Sequence, residues 1–164
     1  MKRSRWLTET ALLTALIAVT GAVKLPGIFP GTEFQLSAPL AVAICAVFGF
    51  TKYITAGVLA SVLGLMLGTQ NLIHVLIAMI FRLTVGGLLL TLGNSWLVVT
   101  VAGPIGSAVA RLALGGIIGK AALPLILAAA PGMLYTAVAA WPLAELLKRV
   151  KAQTERTIAH VVQR

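Results

Sequence analysis

Charge is what this sequence most lacks. Of its 164 residues only 10% are charged, and aspartate is missing altogether. A soluble domain carries about a quarter charged residues, so too few groups are present to solvate the surface of a water-soluble globule. Disorder is excluded by the same composition, because 59% of residues are hydrophobic and the mean hydropathy is +1.01. One cysteine, Cys45, excludes an intrachain disulfide and a cysteine metal cluster. Four glutamates and two histidines leave little material for acid–base or metal chemistry. The chain reads as a membrane protein with a single membrane domain.

Apolar stretches between punctuating residues predict an all-α, polytopic bundle of six transmembrane helices, at about 7–23, 34–50, 54–69, 72–92, 96–119 and 121–147. Most connections are short, so successive helices are antiparallel. The long one, Lys24-Leu-Pro-Gly-Ile-Phe-Pro-Gly-Thr-Glu33, holds two prolines and two glycines that forbid a continuous helix. Its apolar residues need burial, which predicts a lid-like loop between helices 1 and 2. Residues 1–147 form the transmembrane domain, and 148–164 a basic cytoplasmic tail.

Thirteen Lys and Arg give a net charge of +9. Lys2, Arg3, Arg5, Lys52, Lys148, Arg149, Lys151, Arg156 and Arg164 fall on one side of the predicted bundle, with Lys24 and Lys120 opposite. This asymmetry places both termini in the cytoplasm and the Pro/Gly loop outside. The outline of a signal peptide at the N-terminus is outweighed by Glu9 and several threonines within the apolar run. The cations serve topology and lipid headgroups. No basic stripe interleaved with aromatics points to nucleic acid.

Catalytic motifs are missing. Gly119-Lys120 is the nearest approach to a P-loop, but positions 114 and 121 are Leu and Ala. No dinucleotide-binding glycine motif, zinc-protease helix or nucleophile elbow occurs. Glu9, Glu145 and Glu155 belong to the inner side and Glu33 to the outer, while His74 and His160 lie on opposite sides. The expectation is therefore no enzyme, no metal and no cofactor.

The polar residues that remain gather toward the outer leaflet. Arg82 lies mid-span in helix 4 and Arg111 within helix 5. A charge at a helix centre costs roughly 2.5–3.5 kcal/mol on insertion scales, so each needs a partner or a wet cavity. Glu33 and Gln35 open the second span, Asn71 precedes helix 4, and His74 sits one turn inside it, about 12 Å from Arg82 along one face. These six residues are the candidate substrate-binding set, in a pocket lined by helices 2, 4 and 5 under the Pro/Gly loop. The arginines favour an anionic or carboxylate-bearing small molecule.

Several segments, taken in order, carry a likeness. They are Leu7-Thr-Glu-Thr-Ala11-Leu-Leu-Thr-Ala15, Gly31-Thr-Glu-Phe-Gln-Leu-Ser-Ala-Pro-Leu40 after the Pro/Gly loop, Phe48-Gly49, and Ala56-Gly57-Val-Leu-Ala-Ser-Val-Leu-Gly64. With six short spans and both termini inside, the chain resembles, over residues 7–147, the substrate-binding S components of energy-coupling factor (ECF) vitamin transporters of bacterial cell membranes. The resemblance implies capture of a micronutrient at the outer face and docking on a transmembrane coupling subunit driven by two ATPases. It also implies that Ala11 and Ala15 form the docking seam of the first helix. The ligand is left open among biotin, riboflavin, thiamine, tryptophan and others. The competing reading is a non-transporting membrane scaffold like the six-span rod-shape-determining proteins, which has no need of two arginines, a histidine and amides gathered toward one leaflet.

Overall fold

The computed structural model describes residues 2–26, 33–119 and 122–162. Six helices account for nearly all of them: α1 (Lys2–Ala22), α2 (Ser37–Phe48), α3 (Phe50–Met66), α4 (Leu72–Leu92), α5 (Trp96–Ile118) and α6 (Ala122–Val162). Two three-residue strands, β1 (Lys24–Pro26) and β2 (Glu33–Gln35), pair antiparallel with Leu25 opposite Phe34. The protein is an all-α membrane bundle. Helices α4, α5 and α6 are each long and apolar enough to cross a bilayer, whereas α2 and α3 are apolar but shorter.

Helix α2 is the axis of the bundle. Only 12 residues long, it is buried at every position from Pro39 to Ala46. A helix apolar all round has no solvent face and must be enclosed. The other five helices all pack on it, and α1–α3, α3–α4, α4–α5 and α5–α6 pack on one another around it. Small residues let the backbones approach: Ala41, Cys45, Ala60, Ala140 and Ala144 are all buried. At Gly103 a side chain would collide with Thr136 of α6.

Two sequence expectations change. The second span begins at Ser37 rather than Phe34, because residues 33–35 pair with β1 and Leu36 N–H donates to the Val23 carbonyl at 3.3 Å. Backbone groups at membrane depth must be satisfied internally, and a strand pair does so where proline blocks a helix. The centre of the expected lid, residues 27–32, lies outside the described residues. The third helix runs Phe50–Met66 rather than 54–69. Helix α6 continues unbroken to Val162, 41 residues in all, or about 60 Å at 1.5 Å per residue. That is about twice the hydrocarbon thickness of a bilayer.

Helix α1 divides into two faces. Thr10, Leu13, Thr14 and Ile17 are buried, and this i, i+3, i+4, i+7 pattern makes one stripe against α3 and α2. Thr10 and Thr14 each donate to the carbonyl four residues back, so their hydroxyls enter the interior already satisfied. Ala11 and Ala15 are exposed on the other face, beside Leu7, Leu12, Leu16 and Val19.

Candidate functional site

Arg82 is the most buried charge in the described bundle, 6% exposed. Helix α4 presents it on the stripe that also carries Val85, Gly86 and Leu89. Its side chain lies across α3, where one guanidinium nitrogen donates to Ser61 Oγ at 2.8 Å and has a weaker contact with Met79 Sδ at 3.9 Å. The room comes from Gly57, one turn below Ser61: a Cβ there would stand 2.5 Å from Arg82 Nε. Sequence reasoning left α3 out of the pocket, yet α3 forms the wall that Arg82 faces.

Arg82 has no carboxylate partner among the described residues. Three of the four glutamates are committed elsewhere: Glu9 to Arg5 and Lys52, Glu155 to Arg5, and Glu145 to Lys148. The fourth is Glu33, whose backbone lies in β2 and whose side chain, like that of Gln35, lies outside the described residues. A guanidinium has five N–H donors. Here one neutral hydroxyl and one sulfur receive what it offers.

More polar groups are stranded near the same α3–α4 interface. Tyr53 is fully buried, and its hydroxyl has no hydrogen-bond partner among the described residues; Gln70 Oε1 and His74 Nδ1 are buried without one there as well. Tyr53, Gly57, Ser61 and Gly64 share one face of α3, at spacings of four, four and three. The amide of Gln70 lies on Gly64, where a Cβ would come within 2.9 Å of it, and its Nε2 neighbours the first-helix Gly21. Native interiors rarely leave buried polar atoms unpaired, so several along one interface make it the candidate site.

The other expected residues are more scattered. Asn71 is exposed and caps α4, its side chain accepting from the His74 backbone N–H at 2.9 Å. His74 is half-buried in the first turn of α4. Arg111 is half-buried on α5 and has no hydrogen-bond or ion-pair partner among the described residues. Tyr53 and Ser61 were missed, whereas Gln70 was legible with Asn71 as a polar residue of the turn between α3 and α4. In sequence, Tyr53 reads as one more apolar core residue and Ser61 as a small packing residue.

The opposite end of the bundle is built differently. Arg5 Nε and Nη2 each lie 2.8 Å from a carboxylate, Glu9 and Glu155 respectively, and Lys52 pairs with the second oxygen of Glu9. This network ties α1 to α3 and α6. Lys151 Nζ donates to the Val47 carbonyl at 3.2 Å and Asn94 Nδ2 to the Ala46 carbonyl at 3.0 Å, satisfying the last turn of α2. Arg5, outside the apolar span, is held above its ordinary pKa by hydrogen bonds from its guanidinium to Glu9 and then Glu155. Among the described residues no group of His, Cys, Asp and Glu has the makings of a metal site.

Comparison with known proteins supplies one decisive match. Protein BioX of Lysinibacillus sphaericus is 51% identical over 141 residues, which cover 86% of this chain and 85% of that protein. The chain belongs to the BioX family. No protein-family model matches the sequence, and no solved structure matches it.

Proposed function

We propose that this protein is the membrane-embedded substrate-capture subunit of a micronutrient uptake system, an S component that docks on a separate ATP-driven coupling module. The resemblance of residues 7–147 to S components supports a role in transport, and the BioX relative places the chain in a family whose name states no activity. The all-α membrane bundle agrees with it. Both termini face the cytoplasm, on the side that carries most of the Lys and Arg.

One observation carries the substrate reading: a buried arginine, Arg82, with no carboxylate partner among the described residues. The desolvation of a guanidinium costs several kcal/mol and is offset only by excellent geometry with an anion. A substrate carboxylate supplies that anion, entering from the outer side past His74, with Glu33, Gln35, Asn71 and Arg111 about the mouth. The test is a binding panel on protein in lipid nanodiscs. The carboxylate-bearing vitamins biotin, pantothenate, nicotinate and lipoate are compared with thiamine and riboflavin, which have no carboxylate. At least one carboxylate should stabilise the wild type, and Arg82→Met should weaken its binding by about 10- to 100-fold, the loss of one charge-assisted contact. Stabilisation by the uncharged or cationic vitamins alone, or normal binding by the variant, overturns the reading.

The partner face is α1. Ala11 and Ala15, exposed on the side away from α3, let a coupling-subunit helix approach closely. Replacing both with Trp should abolish co-purification with a coupling module and leave ligand affinity within about 2-fold, a change of roughly 0.4 kcal/mol. Loss of the isolated protein's fold would show instead that the pair is internal packing.

A further inference from the structure

The reading of Arg82 leaves Tyr53, Ser61 and Gln70 unexplained. We propose that α3 carries the inner half of the substrate site: Tyr53 Oη and Ser61 Oγ join the Arg82 guanidinium as a receptor for a carboxylate, while Gln70 and His74 bind a second polar group of the same molecule nearer the outer end. This rests on the substrate reading above and extends it to residues outside the set expected from sequence.

The inner groups are matched in chemistry. Arg82 offers only donors, Tyr53 has a hydroxyl proton with no acceptor, and Ser61, which accepts from Arg82, keeps its own proton to give. Three groups with protons to give on the α3–α4 interface, and no carboxylate beside them among the described residues, describe a site for an anion with several lone pairs. Tyr53 is 0% exposed, and burying a hydroxyl with no partner is costly, so a structural role that uses only the aromatic ring would be met better by phenylalanine. The outer groups differ: Gln70 Oε1 and His74 Nδ1 are a carbonyl oxygen and a ring nitrogen, able to accept from an N–H or O–H.

The spacing limits the substrate. Arg82 lies over Gly57 and Ser61, and Gln70 over Gly64. These levels are three to seven residues apart on α3, or about 5–10 Å. A molecule with a carboxylate at one end and a hydrogen-bond donor that far away would meet both groups. The side chains packed on Gly57 and Gly64 are the flexible polar ones of Arg82 and Gln70.

The experiment uses nanodisc-embedded protein, the panel carboxylate that binds the wild type, and the primary amide of that molecule. Tyr53→Phe and Ser61→Ala should each weaken the carboxylate by about 10-fold while leaving the weaker amide nearly unchanged. Ligand-free Tyr53→Phe should melt at the same temperature as the wild type or higher. Wild-type affinity in both variants, alongside weakened binding in Arg82→Met, overturns this inference and leaves the Arg82 reading standing. Wild-type affinity in Arg82→Met, or no carboxylate bound by the wild type, overturns both. A lower ligand-free melting temperature for Tyr53→Phe assigns its hydroxyl a structural bond and also overturns the inference.

Discussion

The two ends of the bundle treat polar groups in opposite ways. Where α1 begins and α2 ends, the buried or half-buried polar atoms are answered: Glu9 receives both Arg5 and Lys52, and the Ala46 and Val47 carbonyls receive Asn94 and Lys151. Between α3 and α4 the pattern inverts, with Arg82 bonded to the Ser61 hydroxyl and the polar atoms of Tyr53, Gln70 and His74 unanswered among the described residues. A closed network spends its hydrogen bonds on holding the fold. On the function proposed above, the open one is held ready for a ligand.

Mutations should therefore move ligand-free stability in different directions at the two ends. The largest loss is expected for Glu9→Gln, which removes the charge joining Arg5 to Lys52 in a setting where Glu9 and Lys52 are only about one-fifth exposed. Thermal unfolding in nanodiscs should report a loss of about 1–2 kcal/mol, between the values for exposed pairs and for charge-assisted bonds. Arg82→Met should leave the melting temperature unchanged or raise it, because a buried charge without its anion is replaced by an apolar chain of similar length. A marked drop for Arg82→Met would erase the contrast and make Ser61–Arg82 a structural tie. The smallest effect belongs to Glu145→Gln. Its partner Lys148 is 42% exposed and also sits 4.8 Å from the Trp141 ring centroid, so stability should stay within about 0.5 kcal/mol.

Much of the fold was legible in the residues. The bounds of α4 and α5 follow from uninterrupted apolar runs between turn-forming residues, with Asn71 before one and Gly119 after the other. Residues 33–35 were not legible as a strand. Three residues carry no periodicity, and their pairing depends on Val23 to Pro26 lying alongside. In α6, charge past Lys148 signals water but not the end of a helix, and the helix runs on to Val162. Its continuation is held by Lys151 on Val47 and Glu155 on Arg5, contacts that exist only once the bundle has assembled.

The candidate site divides along the same line. Arg82 and His74 stand out in sequence because a polar group in an apolar run is costly wherever it points. Tyr53, Gly57 and Ser61 do not, since tyrosine, glycine and serine are ordinary residues of a packed membrane helix. Composition and hydropathy thus determined that the chain is a helical membrane bundle with unusual charges in it, because the cost of removing polar groups from water depends on residue type and depth alone. Which wall those charges face was decided by tertiary structure: only the packing of α4 on α3 places a guanidinium over Gly57, within 2.8 Å of Ser61, and hydrogen bonds depend on distances of a few tenths of an ångström that no one-dimensional pattern encodes.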